Sequence, residues 1–357
     1  MKILLTGGAG YVGSHVAKVL LEFGHGVAVL DNLATGHMRT ISKLAELGKR
    51  NFSFFEADIC ATDHLEQIFR QYEPDAIVHM AGLKLVEESF ERPEAYFRCN
   101  VVGTASLLSA ASACRCKRVI YSSTAAVYGA SERCPFREDL PPSPSSPYGW
   151  TKALAERLVR KWGETGYQAR TAIVLRYFNP CGHDRFFDNP LQIEDSGGNS
   201  LADAMVRVAT GLESHLEIYG NTYPTADGTC RRDFVHIRDI AEAHLRAVAF
   251  TETAAPSFDI FNLGSGKDTS VLEFLEAFHE ATGLRVPFSF VPPRKGDLAV
   301  SRADVERAAM RMKWVPRYDI HGICQAIRPR GHSVRPAPFA TPPRTLVRRN
   351  HRERVKG

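Results

Sequence analysis

Thr6-Gly7-Gly8-Ala9-Gly10-Tyr11-Val12-Gly13 decides how this chain is read. Ahead of it, Lys2-Ile3-Leu4-Leu5 is a short apolar run of the kind that forms a buried strand. Behind it, residues 14–23 are apolar at Val16, Val19, Leu20 and Phe23, which is helical spacing. Val27-Ala28-Val29-Leu30 then reads as a second strand that ends on Asp31. Strand, glycine turn, helix, strand and acid together form a dinucleotide-binding unit. Gly7 lets the chain turn tightly, Gly10 lets a pyrophosphate approach the backbone, and Gly13 lets helix and strand pack closely. The helix N-terminus, at Tyr11 and Val12, offers free N–H groups and partial positive charge to the phosphates. Asp31 stands 18 residues after Gly13, where a carboxylate accepts hydrogen bonds from a ribose diol. It would also repel a 2′-phosphate, so NAD is expected rather than NADP.

Outward from this unit the pattern repeats. Asn32 to Gly36 forms a loop able to wrap the adenosine ribose. Residues 52–57 read as a third strand leading to Asp58 and Ile59, a carboxylate for the adenine amino group and an apolar cover for its face; a plain turn is the alternative. Residues 75–80 form a fourth strand, ending in Ala81-Gly82-Leu83-Lys84 at the carboxyl edge, where such sheets bind ligands. Residues 89–116 read as one long helical stretch. A fifth strand, 118–121, delivers Ser122-Ser123-Thr124 to the same edge. Tyr148 to Lys152 opens a helix running to about 165, and a sixth strand, 169–176, leads into Tyr177-Phe178-Asn179-Pro180. The expected fold is α/β: a Rossmann-type doubly wound parallel sheet over 1–180, with 234–264 returning to it. A smaller α/β substrate domain follows over 181–326, and a basic, proline-rich tail expected to be disordered over 327–357.

Tyr148 and Lys152 lie four apart and share one helix face. A free tyrosine has a pKa near ~10 and is a poor base at neutral pH. An adjacent ammonium and a positive nicotinamide ring would lower that value. Thr124 is placed to hydrogen-bond the reacting hydroxyl. An ordinary helical Tyr/Lys pair is the plainer reading, but the nucleotide fingerprint upstream favours chemistry.

The net charge of +5 is misleading, because residues 327–357 hold eight Arg, one Lys and one Glu; the remaining 326 residues sum to −3. A basic tail without interleaved aromatics does not suggest a nucleic-acid partner. No apolar run approaches the ~20 residues of a membrane span. The chain goes straight into a strand with no charged leader, so a cytoplasmic location is expected. Its eight cysteines form no Cys-x-x-Cys pair, so no disulfide framework and no metal site is expected.

The glycine spacing resembles the extended short-chain dehydrogenase/reductase superfamily. The resemblance narrows over residues 81–84, 122–129, 148–152 and 176–180, and over the long run from Ile218 to Thr229 that leads to Arg232-Asp233-Phe234-Val235-His236. Asn262 to Gly266 and Arg294 to Asp297 continue it. Together these resemble the UDP-glucose 4-epimerase family over residues 1–326. The resemblance implies reversible exchange of UDP-glucose and UDP-galactose with bound NAD, with Tyr148 taking the proton of the sugar 4-hydroxyl. It implies a pyrophosphate clamp from Arg232 and Arg294, and sugar or phosphate contacts from Ser122, Thr124, Asn179 and Asn199. Lys84, Tyr177 and Phe178 match cofactor or substrate-pocket positions. Ser301 matches a position lining the sugar pocket, where a small residue admits an N-acetyl group; a helix N-cap is the alternative. A homodimer through helices at about 89–116 and 148–165 is also implied. UDP-N-acetylglucosamine, UDP-pentose and UDP-glucuronate epimerases stay open, as does a non-catalytic NAD-binding protein. Cys99 stands where the family often has asparagine. Ala125-Ala126 replace the Asp-Glu pair that the related dehydratases carry after the threonine.

Overall fold

The computed structural model describes residues 1–131, 133–164, 169–187, 200–253, 255, 257–294 and 296–329. Strand β1 (Lys2–Thr6) turns through glycine into α1 (Tyr11–Glu22). Then follow β2 (Gly26–Asp31), α2 (Met38–Gly48), β3 (Phe52–Glu56), α3 (Thr62–Tyr72) and β4 (Ala76–His79). Next come α4 (Val86–Glu91), α5 (Pro93–Phe97), α6 (Gly103–Ala113), β5 (Arg118–Thr124), α7 (Pro147–Glu164) and β6 (Thr171–Tyr177). The stretch 89–116 is therefore broken, not one helix. Pro93 has no N–H to donate and disfavours the helical region for Arg92, which adopts φ −131°. A wider turn over Arg98–Val102 then joins α5 to α6.

Beyond β6 lie β7 (Asn179–Cys181), α8 (Leu201–Ala209), β8 (Leu216–Tyr219), β9 (Arg231–Arg232) and β10 (Phe234–His236). They are followed by α9 (Ile237–Thr253), β11 (Ser257–Leu263), β12 (Thr269–Ser270), α10 (Val271–Thr282), β13 (Phe288–Val291), β14 (Val300–Ser301) and α11 (Ile320–Ala326). Ser270 caps α10 as its sequence suggests, accepting from the Glu273 N–H while Glu273 reaches back.

Among the described residues the main sheet has seven strands in the order β3-β2-β1-β4-β5-β6-β11, all parallel. Its strands are buried on both faces, and that is why they read as unbroken apolar runs. Ile3, Leu5, Val27 and Val29 pack toward α1, α2 and α9, while Leu4, Ala28 and Leu30 pack toward α3, α6 and α7. The order reverses between β1 and β4, which opens a crevice at the carboxyl ends of the strands. A separate core of Met205, Phe274, Phe278 and Ile323 joins α8, α10 and α11. Of the basic tail, residues 330–357 lie outside the described residues.

Candidate active site

The glycine turn lies at the crevice. Gly7 takes φ +76°, and a Cβ on it would sit 2.7 Å from the Ala81 nitrogen, so the β1 turn and the end of β4 touch. A Cβ on Gly13 would land 2.1 Å from the Gly7 carbonyl oxygen. Over Gly10 the ground is open, and a Cβ would meet that same oxygen at 3.6 Å. A turn closed beneath and bare above, at the start of α1, suits a pyrophosphate. Tyr11 sends its hydroxyl to the Gly182 carbonyl (2.6 Å), and Val12 packs against the core.

Asp31 ends β2, buried. Its Oδ2 accepts from the Ala9 N–H and its Oδ1 from the Leu33 N–H, both at 2.9 Å. Burial pushes this carboxyl up and the two hydrogen bonds oppose it. Each oxygen keeps a lone pair for a further donor, which a ribose diol offers. Asn32 donates to Asp58 (3.2 Å), as does the Cys60 N–H (2.8 Å). Burial raises Asp58, but those hydrogen bonds outweigh it and hold the carboxyl below its usual range. The Ile59 side chain is buried against Gly103 of α6, where the missing Cβ leaves room for it.

Ala81 gives its N–H to the Thr6 hydroxyl (3.1 Å), and Thr6 also meets His79 Nδ1 (2.8 Å). Gly82 packs against Asn100, whose side chain accepts from the Leu83 N–H and donates to Leu83 oxygen and to Thr151. Lys84 is solvent-reached yet closely walled: burial lowers its ammonium and Asp203 raises it.

Tyr148 and Lys152 stand one turn apart on α7, facing the end of β5. Thr124 closes β5 and is hydrogen-bonded to Tyr148. Burial pushes Tyr148 up to about 12, with that hydrogen bond pulling the other way. Burial takes Lys152 down to about 8, opposed by Cys99 and Glu156. The ammonium lies 4.4 Å over the ring of Tyr121. The lowering of the tyrosine expected from the lysine is thus not realised by the protein's own groups, because burial penalises both charged forms. The Tyr177 hydroxyl bridges Ser122 (2.5 Å) and His244 Nε2 (2.6 Å), so Ser122 is engaged within the protein. Phe178 is buried against Tyr128 and Phe136.

Asn179, Arg232 and Ser301 meet around one residue. The Asn179 N–H donates to the Asp233 carbonyl (3.0 Å), and the Asp233 N–H to the Ser301 carbonyl (2.9 Å). Ser301 is buried in β14 beside Arg232, so it is a strand residue and not a helix N-cap. The Arg232 guanidinium donates to the Arg231 and Leu298 carbonyls and pairs with Asp297 at 3.0 Å. Arg294 lies 3.9 Å over the Tyr219 ring and pairs with Glu87 at 3.2 Å. Asn199 lies outside the described residues. Among the described residues no cluster of His, Cys, Asp or Glu is set to hold a metal ion.

Residues 3–264 match the model of the NAD dependent epimerase/dehydratase family. The chain belongs to this family. The UDP-glucose 4-epimerase of Bacillus subtilis (strain 168) is 37% identical over 329 residues, which is 91% of this chain and 95% of the relative. The UDP-glucose-4-epimerase from Stenotrophomonas maltophila, solved with bound NAD and formylated UDP-arabinopyranose, matches with a TM-score of 0.85 at 36% identity, covering 92% of this chain and 96% of that one. The UDP-Glc/GlcNAc 4-epimerase from Campylobacter jejuni matches with a TM-score of 0.79 at 34% identity, covering 91% and 97%.

In this epimerase/dehydratase chain the sequence reading named the edge residues but missed those that hold them. Asp233 accepts from the Ser265, Gly266 and Ala303 N–H groups and fixes the floor beneath Arg232. His244 holds Tyr177, and Glu156 ties α7 to the sheet. Nothing in the spacing of these residues marks them as buried before the elements are docked.

Proposed function

We propose that this chain is an isomerase that reversibly inverts C4 of UDP-glucose and UDP-galactose through a 4-keto sugar, with NAD as its cofactor. The arrangement of Thr124, Tyr148 and Lys152 at the crevice mouth, beside a glycine turn fit for a pyrophosphate, carries this reading. NAD, when bound, supplies the acceptor and donor of the C4 hydride. The Tyr148 oxygen takes the proton of the 4-hydroxyl and returns it once the sugar has turned over. Thr124 shares that hydroxyl and holds it against Tyr148. Lys152 keeps positive charge beside the phenolate. Arg232 and Arg294 grip the UDP pyrophosphate as bidentate donors, exchanging Asp297 and Glu87 for phosphate oxygens. Lys84, Asn179 and Asn199 contact sugar or phosphate. Asp31 and Asn32 hold the adenosine ribose, and Asp58 the adenine.

In this reading residues 1–180 and 234–264 bind the cofactor and 181–326 the sugar nucleotide. Phe90, Phe97, Val102 and Trp150 are large apolar side chains left exposed on α4, α5, the turn after it and α7. They support a homodimer through those helices, which sedimentation would detect. No helix among the described residues is long and apolar enough to cross a membrane. The eight free cysteines suit the reducing cytoplasm.

Tyr148→Phe tests the mechanism. It removes the phenol and keeps the ring, so NAD should stay bound while turnover of UDP-galactose falls by ~10²–10⁴-fold, as for loss of a positioned base. Near-normal turnover in the Phe variant would refute the assignment.

A further inference from the structure

Tyr148, Lys152 and Glu156 are spaced four apart on α7 and point the same way. The first two serve the reaction proposed above; the third has no part in it so far. Glu156 is buried, 4% exposed, and a lone buried carboxylate is costly. Its partners are specific. Oε1 accepts from the Ser123 hydroxyl (2.5 Å) and from Arg176 Nε (2.9 Å), and Oε2 accepts from Arg176 Nη2 (2.7 Å). Arg176 is 1% exposed and lies 4.7 Å over the ring of Tyr128, whose hydroxyl donates to Asn262.

The sheet register gives this pair its meaning. Ser123 of β5 and Arg176 of β6 are direct partners, and the next partners along are Thr124 and Tyr177. One carboxylate therefore grips both strands one residue before the positions that enter the crevice. The same carboxylate sits one helical turn from Lys152 and two from Tyr148. Stability alone does not call for such a pair, because buried ion pairs can be exchanged for apolar side chains of similar volume at little cost. What an apolar exchange cannot supply is a fixed three-way junction with charge.

We propose that Glu156 is a positioning residue of the epimerisation reaction. By bridging Ser123 and Arg176 it sets the Tyr148/Lys152 face of α7 against Thr124 of β5. This rests on the function proposed above. Glu156 also faces the Lys152 ammonium, which is further surrounded by Tyr148 on α7, Cys99 before α6, Tyr121 on β5 and His79 on β4; Arg176 on β6 balances the carboxylate. Of these Cys99 and the Glu156 carboxylate favour the charged lysine, and Arg176 and His79 do not.

Glu156→Gln keeps the shape and removes the charge. In the full chain with NAD bound, kcat on UDP-galactose should fall at least tenfold while KM stays within about twofold. The alkaline limb of the kcat profile should move to lower pH, because Lys152 loses the carboxylate that stabilises its proton. The uncompensated Arg176 could prevent folding, so a Glu156→Met/Arg176→Met double variant accompanies it. That variant should fold, retain NAD and UDP affinity, and show the same kcat loss. A folded single or double variant with the natural kcat and pH profile would overturn the proposal alone. Absence of turnover in the natural chain would overturn the functional reading, and this proposal with it.

Discussion

Four buried histidines should make this protein labile to mild acid. Each is held neutral by a donor facing one ring nitrogen. His244 Nδ1 lies against the Ile240 carbonyl (2.8 Å), which only accepts, so Nε2 is left to accept from Tyr177. His15 is arranged alike, with Nδ1 on the Tyr11 carbonyl (2.7 Å) and Nε2 accepting from the Asp184 N–H (3.2 Å). His236 Nδ1 accepts from the Arg238 N–H (3.0 Å). His79 lies between the Thr6 and Thr104 hydroxyls, and Thr104 already donates to Asn100 oxygen. Burial takes His15 and His79 down to about 3, and His236 and His244 down to about 4. The unfolded chain titrates near ~6.5, so it binds more protons than the native state from there down to pH 3–4. Stability contributed by these groups is therefore full above ~6.5 and is lost as pH falls. At pH 5 each histidine has lost about 2 kcal/mol, roughly 8 for the four. The buried carboxyls act oppositely: burial raises Asp233 to about 6, which returns about 1 kcal/mol at pH 5, and it raises Asp31, Glu138, Asp203 and Asp239 as well. A net loss of even several kcal/mol is comparable with the whole stability of many domains, ~5–15 kcal/mol. Thermal or urea unfolding between pH 7.5 and 5 should show a drop in Tm of ~10 °C or more. His244→Gln should reduce the slope, because glutamine can serve both the Ile240 carbonyl and the Tyr177 hydroxyl without titrating. A Tm unchanged between pH 7.5 and 5 would show that these histidines charge freely and that the assigned burial is wrong.

Three further outcomes are expected. Reconstitution with NADP should give far less activity than with NAD, because in the proposed function the buried Asp31 carboxylate holds the ribose diol and would repel a 2′-phosphate; equal activity would remove its assigned role. Gly13→Ala should abolish cofactor retention, since its Cβ would lie 2.1 Å from the Gly7 oxygen; a variant that purifies with a full complement of NAD would contradict this. Ser301→Tyr should lower turnover of UDP-N-acetylglucosamine far more than that of UDP-galactose if Ser301 lines the sugar pocket as the family resemblance implies; parallel losses, or a natural protein inactive on the N-acetylated sugar, would mean Ser301 is no gate.

The sheet was legible because both of its faces are covered. Buried parallel strands leave apolar runs that end in small or acidic residues, and those ends are the crevice. Helix continuity was less legible. Periodicity runs through Pro93, so 89–116 reads as one helix until the proline's missing donor is counted. Ser301 was ambiguous because a serine two or three residues before an acid suits both a cap and a strand, and only its pairing with Arg232 decides. The packing of Ile59 was hidden for a similar reason: the hole over Gly103 that receives its side chain lies 44 residues away in sequence. Glu156 and Arg176 carry no motif in their spacing, because a buried pair across two elements looks like two surface charges until the elements are docked.

The protonation state of the catalytic pair was out of reach of sequence for a deeper reason. In water a tyrosine and a lysine titrate close together, near ~10 and ~10.4. Burial drives them apart, Tyr148 to about 12 and Lys152 to about 8, each shift favouring the neutral form without discharging the lysine at neutral pH. A base at Tyr148 is therefore not a property of the folded chain by itself. Positive charge brought to the crevice would stabilise the phenolate and further depress the lysine, so the two groups need opposite help. Cys99 and Glu156 supply it to the lysine, and the tyrosine has only Thr124. In the function proposed above, the chain would therefore set the geometry in advance, and the positive charge that completes the base would come from what binds.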